Sequence, residues 1–230
     1  MIDWKPLGDS GFLARFATAE AARDWARAVT AIGPEGVVDV VPAFNAVAIL
    51  FDPDRTDPDA LEAVLRGPLP RVDGVDEPES FVIPVLYDGD DLVSVATARG
   101  LDAAGVVAAH SGREYTVLAI GFQPGFPYAG PLPPELTGLS RRAEPRPRVP
   151  TGSVAIVGEQ TAIYPSPSPG GWHLLGRTPL TIADPEAGFL PLRVGDRLRF
   201  APIGPEEFAA LDGRRLDAPP SRGLSAAGPV

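Results

Sequence analysis

The first third of the chain alternates between strand-like and helix-like spacing. Phe12 to Phe16 reads as a short strand, and Thr18 is placed to cap a helix on which Ala22, Trp25, Ala26, Val29 and Ile32 recur at helical intervals before Gly33-Pro34 ends it. Val37–Val41 and Ala46–Phe51 read as strands joined by a hairpin-length link. Asp57-Pro58 then opens a second helix, with Leu61, Val64 and Leu65 as its buried stripe and Gly67 as its stop. The order strand, helix, strand, strand, helix needs one more strand to complete a ferredoxin-like unit, and Val72 or Phe81–Leu86 is expected to supply it.

Residues 68–78 are rich in proline, glycine and acid and read as a linker. After Phe81–Val85, short helices are expected at Asp91–Ala98 and Asp102–His110, each opened by a capping aspartate. The remainder is dominated by short strand-like runs at Tyr115–Ile120, Ser153–Val157, Thr161–Tyr164, Trp172–Leu175, Leu180–Ala183 and Arg197–Phe200. Proline and glycine clusters separate them, as in a barrel or sandwich. The reading is α+β: a ferredoxin-like domain over 1–78, a β-barrel domain over 79–211, and a flexible tail over 212–230.

Composition narrows the chemistry. The 230 residues include no cysteine, which removes disulfides, thiolate metal sites and a cysteine nucleophile. A net charge of −10 argues against nucleic acid or an anionic membrane as partner. The N-terminus lacks the layout of a signal peptide and no apolar run is long enough to span a bilayer, so a cytoplasmic protein is expected. There is no phosphate-loop motif, no H-E-x-x-H and no G-x-S-x-G, and the only lysine is Lys5. No metal ligand set is evident, since the only histidines are His110 and His173. A binding module, or a partial active site completed by another protein, fits best.

Three stretches stand out. In Gly121–Tyr128, Pro124-Gly125 suits the centre of a type II turn, and Phe122, Phe126 and Tyr128 either wall a pocket or merely cap a barrel. From Arg141 to Ser153, alternating prolines extend the backbone and set Arg146 and Arg148 two residues apart, a candidate clamp for a carboxylate or phosphate; a solvated or ion-paired arginine face is the plain alternative. In Tyr164–Pro179 a stiff proline segment delivers Gly170 and Gly171, whose amides suit an oxyanion, beside Trp172 and His173. Packing is the simpler role for His173, and a helix-end dipole contact the simpler role for His110.

As they stand, GFQPGFPYAGPL (121–132), RRAEPRPRVPTGSVAIVGEQTAIYP (141–165) and SPGGWHLLGRTPL (168–180) resemble the Kip inhibitor/5-oxoprolinase B-subunit family, also called allophanate hydrolase subunit 1-like. The likeness is dense over 110–200 and looser at Gly8-Asp9-Ser10 and Val40–Phe44, with departures at Pro131 and Thr151. It implies a ferredoxin-like domain and a cyclophilin-like β-barrel. It also implies heteromeric partners, the C-like and A-like subunits of 5-oxoprolinase, which together with this chain use ATP to open 5-oxoproline to L-glutamate. ATP is then a cofactor of the assembly, not necessarily held by this chain. On that resemblance His110, Gln160 and Tyr164 are the catalytic candidates. The substrate-binding candidates are Arg146, Arg148, Arg177, Gly170, Gly171, Phe122, Phe126, Tyr128, Trp172 and His173. Two other activities stay open: inhibition of a sporulation histidine kinase by docking, and a carboxyltransferase-like lobe as in urea carboxylase relatives. The latter is weakened by the lack of a biotin-acceptor Met-Lys.

Overall fold

The computed structural model describes residues 2–70, 72 and 78–217. The chain divides into two compact units, Met1–Glu77 and Pro78–Val230.

The first unit holds β1 (Asp3–Pro6), β2 (Gly11–Arg15), α1 (Ala19–Ile32), β3 (Val37–Ala43), β4 (Ala46–Phe51) and α2 (Pro58–Arg66). Helix α1 begins where the Thr18 hydroxyl accepts the Ala21 amide at 3.1 Å, and ends at Gly33, whose φ of 54° is left-handed. Asp57 caps α2 by accepting the amides of Asp59 and Ala60. The helices bury Ala22, Ala26, Val29, Leu61 and Leu65 against Phe12, Ala14, Val47, Ile49 and Phe51 of the sheet. Its strands run β1-β2-β4-β3, every pair antiparallel.

That order corrects one expectation. The edge position beside the first ferredoxin-type strand, β2, is filled by β1 from before α1 and not by a strand after α2. Val72 has no regular structure, and Phe81–Val85 belongs to the other unit. The sequence Asp3-Trp4-Lys5-Pro6 is too short and polar to show a period, and its proline is tolerated because this is an edge. Trp4 anchors it, with its ring 5.0 Å from Phe12 and 6.1 Å from Trp25.

The second unit contains β5 (Ser80–Val85), α3 (Leu92–Arg99), α4 (Ala103–Ser111), β6 (Glu114–Ile120), β7 (Pro127–Gly130), β8 (Arg146–Val149), β9 (Ser153–Val157), β10 (Gln160–Ile163), β11 (Ser168–Gly170), β12 (His173–Arg177), β13 (Arg197–Pro202) and α5 (Pro205–Leu211). Seven of its strands form one sheet in the order β12-β9-β10-β7-β6-β13-β5. Leu86, just past β5, and Arg177, at the end of β12, exchange both backbone hydrogen bonds at 2.9 Å, so the two outer strands meet and the sheet rolls into a barrel. The run Leu180–Ala183, expected as a strand, makes only an isolated bridge through Thr181 to Arg215. Beyond Leu211, Leu216 is buried in the barrel core, so the expected mobile segment does not begin at 212; the expectation for 218–230 lies outside the described residues.

Two cores result, one on each side of the barrel wall. The interior holds Ile83, Tyr115, Val117, Val154, Ile156, Ile163, Leu175 and Phe200, with α3 and α4 contributing Leu92, Val95, Ala96 and Val106. On the outer face Ala155, Ala162 and Leu174 pack with Phe126, Tyr164 and Trp172, covered in part by Val149 of the separate β8–β11 ribbon. Side chains of a strand alternate between faces, so neighbouring positions of β9, β10 and β12 serve different cores.

Candidate active site

The outer face is built around Phe126. Phe126 donates its amide to the Gln123 carbonyl at 3.1 Å, and Gly125 has a φ of 78°, which is the type II turn that Pro124-Gly125 predicts. Phe122, just before the turn, also has positive φ, 68°, a region costing a non-glycine residue about 1–2 kcal/mol. It is 62% exposed and sits edge-on to Phe126 at 5.4 Å. From Phe126 the ring centroids of Tyr128, Tyr164 and Trp172 lie 4.9, 5.1 and 5.9 Å away. These aromatics therefore form one continuous wall, with Phe126 inside it and Phe122 at its exposed rim. The Ser166 hydroxyl donates to Gln123 Oε1, joining the turn to the proline-rich segment.

Gly170 is needed because the Tyr164 ring lies against it: a Cβ there would run into the phenol hydroxyl and come within 3.0 Å of Cζ. Gly171 accepts the Arg142 amide at 2.8 Å, which ties the 141–145 segment over this glycine pair. Burial raises the pKa of both Tyr128 and Tyr164, and the positive charge of Arg141 opposes that rise at each.

The arginines divide sharply. Asp91, only 3% exposed, accepts hydrogen bonds from Arg142 Nη1 at 2.6 Å, Arg146 Nη1 at 2.8 Å, Arg146 Nη2 at 3.0 Å and the Leu174 amide at 2.8 Å. Burial alone would raise its pKa; hydrogen bonds from Arg146 and Leu174, and the charges of Arg146 and Arg142, more than offset this and hold the carboxyl below its ordinary value. Arg146 is thus spent on Asp91, with Asp90 3.5 Å away, while Arg148 is exposed and has no carboxylate partner among the described residues. The two do not work as a pair. Asp91 itself, expected to cap α3, makes no side-chain cap there.

The other sequence candidates are dispersed. Arg177 pairs with Asp88 at 2.9 Å and stacks over Phe208 at 4.6 Å, on the wall of a separate cavity of about 600 Å³ that includes Thr151, Ser153 and Thr178. His173 Nε2 meets the Ser140 carbonyl at 2.8 Å, on the edge of the arginine segment. Gln160 starts β10, roughly 13 Å along the strand from Tyr164 at about 3.3 Å per residue. His110 lies in the interior, fully buried, between the Tyr87 hydroxyl at 2.7 Å and the Thr161 hydroxyl at 2.9 Å, with its ring 4.5 Å from Phe200. Burial lowers its pKa to about 3, so it is a neutral hydrogen-bonding core residue and not a cation at a helix end. Thr161, which faces His110, and Tyr164 lie on opposite sides of the wall. The structure therefore gathers Phe122, Phe126, Tyr128, Tyr164, Gly170, Gly171 and Trp172, borders them with Arg146 and His173, and leaves His110, Gln160, Arg148 and Arg177 out of that group.

Sequence reasoning missed Asp91 as an anchor and Arg141 as the cation beside the tyrosines. The signal for Asp91 was a concentration of arginines in an acidic chain, which calls for a buried acid somewhere. Nothing local tied it to a position 51 residues before Arg142 and 55 before Arg146.

A family model, the carboxyltransferase domain, subdomain C and D, matches residues 2–189, a span that includes every residue of the aromatic wall. The chain belongs to this family. Among curated proteins it is 41% identical to the B-type 5-oxoprolinase subunit from Escherichia coli O157:H7 over 190 residues, covering 80% of this chain and 86% of that one. It is 33% identical to the corresponding 5-oxoprolinase subunit from Bacillus subtilis (strain 168) over 227 residues, covering 89% and 94%. Of solved structures, TTHA0988 superposes with a TM-score of 0.76 at 39% identity over 89% of this chain; the chain spans only 40% of that longer polypeptide. Urea carboxylase of Kluyveromyces lactis matches with a TM-score of 0.74 at 20% identity, over 94% of this chain and 23% of that one, a likeness of fold.

Proposed function

We propose that this chain is the B-type member of an ATP-dependent 5-oxoprolinase and supplies the substrate-facing wall of a site that partner proteins complete. The observation that carries this is the relationship to the B-type 5-oxoprolinase subunits, 41% identity over 80% of the chain, joined to an aromatic wall with a glycine pair and an arginine at its border. An unstrained lactam resists water. Transfer of the terminal phosphoryl group of ATP to the lactam oxygen would make a reactive imidate; water would add to its carbon, the C–N bond would break as the nitrogen takes up a proton, and a second water would hydrolyse the resulting acyl phosphate to glutamate and phosphate.

On this reading the nucleotide chemistry is shared with or located on a partner. The sole lysine of this chain, Lys5, is in the first unit, and among the described residues no group of three or more His, Asp or Glu could hold a metal ion. The A-like and C-like partners are the candidates for the phosphoryl-transfer step. What this chain contributes is an aromatic surface: half-buried Tyr128, backed by the buried Trp172 ring 5.8 Å away at 60° to it, suits the face of a small ring. A cytoplasmic setting belongs to the same proposal. Among the described residues no single helix is long and apolar enough to cross a membrane.

The test is to co-purify the chain with its candidate partners and to measure 5-oxoproline-dependent ATP hydrolysis with and without it. Loss of turnover on omission is expected. Undiminished turnover would overturn the assignment and favour a kinase-inhibitor role.

A further inference from the structure

Within the arginine segment, Arg142 and Arg146 are both committed to Asp91. Arg141 is exposed and has no carboxylate partner among the described residues, although the chain has ten more acidic than basic groups. It is nevertheless held in place, because the next residue is hydrogen-bonded to Gly171 and the Arg141 Cβ would lie 3.8 Å from a side chain at that glycine. Its charge acts on Tyr128 and Tyr164 alike.

Tyr164 is the complementary anomaly. Its side chain is 1% exposed, yet its hydroxyl makes no hydrogen bond to the described residues, and it is not among the buried polar atoms left without a partner. The small exposed part of this residue therefore includes the hydroxyl. A buried phenol ordinarily finds a partner; this one keeps an unpaired O–H just beneath the surface beside Gly170, where only the absence of a side chain leaves room. Burial keeps the phenol protonated at neutral pH, so it donates.

We propose that Arg141 and the Tyr164 hydroxyl form the seat for the carboxylate of a small ring-bearing acid, with the ring lying against Tyr128, which Trp172 backs from within. The guanidinium supplies charge and the phenol a directed hydrogen bond, the combination that separates an acid from its neutral analogue. The identity of the acid as 5-oxoproline rests on the function proposed above; the seat does not. It replaces the clamp expected from Arg146 and Arg148.

Calorimetric titration of the full chain, alone and co-purified with its partners, compares 5-oxoproline with 2-pyrrolidinone, the same lactam without a carboxylate. The acid should bind at least about tenfold more tightly, and Arg141→Gln and Tyr164→Phe should each weaken it by about tenfold or more while leaving 2-pyrrolidinone unchanged, as expected for loss of one charge-assisted hydrogen bond. Arg199→Gln, an exposed arginine on β13, should change neither. Equal binding of the two compounds by the unaltered protein, or discrimination that survives in both variants, would overturn the proposal. If binding depends on Arg141 and Tyr164 but the assembly hydrolyses no ATP in response to 5-oxoproline, the functional assignment falls and the seat stands. If hydrolysis proceeds with an unchanged KM in both variants, the seat falls and the assignment stands.

Discussion

Asp91 accepts four hydrogen bonds from three residues that lie between 51 and 83 positions away along the chain. It fastens the segment carrying Arg142 and Arg146 to the start of α3 and to β12. Because the folded state holds its carboxyl below the ordinary pKa, the stabilisation is fully present above that ordinary value and is lost as pH falls through the folded value. Asp91→Asn leaves two arginines around a neutral amide, a change that costs about 3–5 kcal/mol when one partner of a buried pair is removed. Urea unfolding at neutral pH should show that loss. A series extended below about pH 4 should show the gap between the two proteins narrowing as Asp91 in the unaltered chain takes up its proton. At this scale the sequence was least informative. It offers Asp91 as a helix cap and His110 as a candidate beside Tyr164, whereas the structure ties Asp91 to two arginines and buries His110 in the barrel interior, because neither burial nor a partner far away along the chain leaves any trace in local spacing. Tyr164, Gly170 and Trp172 were legible because they share one short stretch whose prolines and glycines constrain the backbone.

At the scale of elements, regular periodicity is legible in the sequence and irregular closure is not. The helix at Thr18, the helix at Asp57 and strands β3, β4, β6, β9 and β13 follow from spacing and caps. By contrast β1, β7, β8 and β11 have three or four residues each and are defined by what they pair with. The seam between β5 and β12 is of that second kind. Gly176 packs so tightly that a Cβ would come within 2.8 Å of the Tyr87 Cα and closer still to the Leu86 carbonyl oxygen, all rigid backbone. Gly89 is crowded in the same way by Leu174 and Leu175. Gly176→Ala should therefore force the strands apart and cost about 1–3 kcal/mol, as overpacking does. Amide exchange should find the lost protection concentrated at Leu86 and Arg177, whose paired amides close the barrel.

At the scale of the whole molecule, each unit has a hydrophobic core of its own: among the described residues, the cluster of the first is built from residues before 70 and the barrel's two clusters from residues after 80. Each core is continuous within itself, so each unit should lose its structure as its own cooperative block. Scanning calorimetry of the intact chain should resolve two transitions, and Leu65→Ala, in the first core, should move one of them downward by several degrees while the other stays. A single transition shifting as one would refute this expectation.

Strand β10 gives the barrel wall two unrelated assignments along one short run of residues. Thr161 and Ile163 answer to the imidazole and the aliphatic filling within, whereas Ala162 and, just past the strand, Tyr164 answer to the aromatic cluster on the other side. The aromatic cluster can consequently be remodelled at every second position without disturbing the residues between them. A one-residue insertion would trade the two sets and ruin both at once.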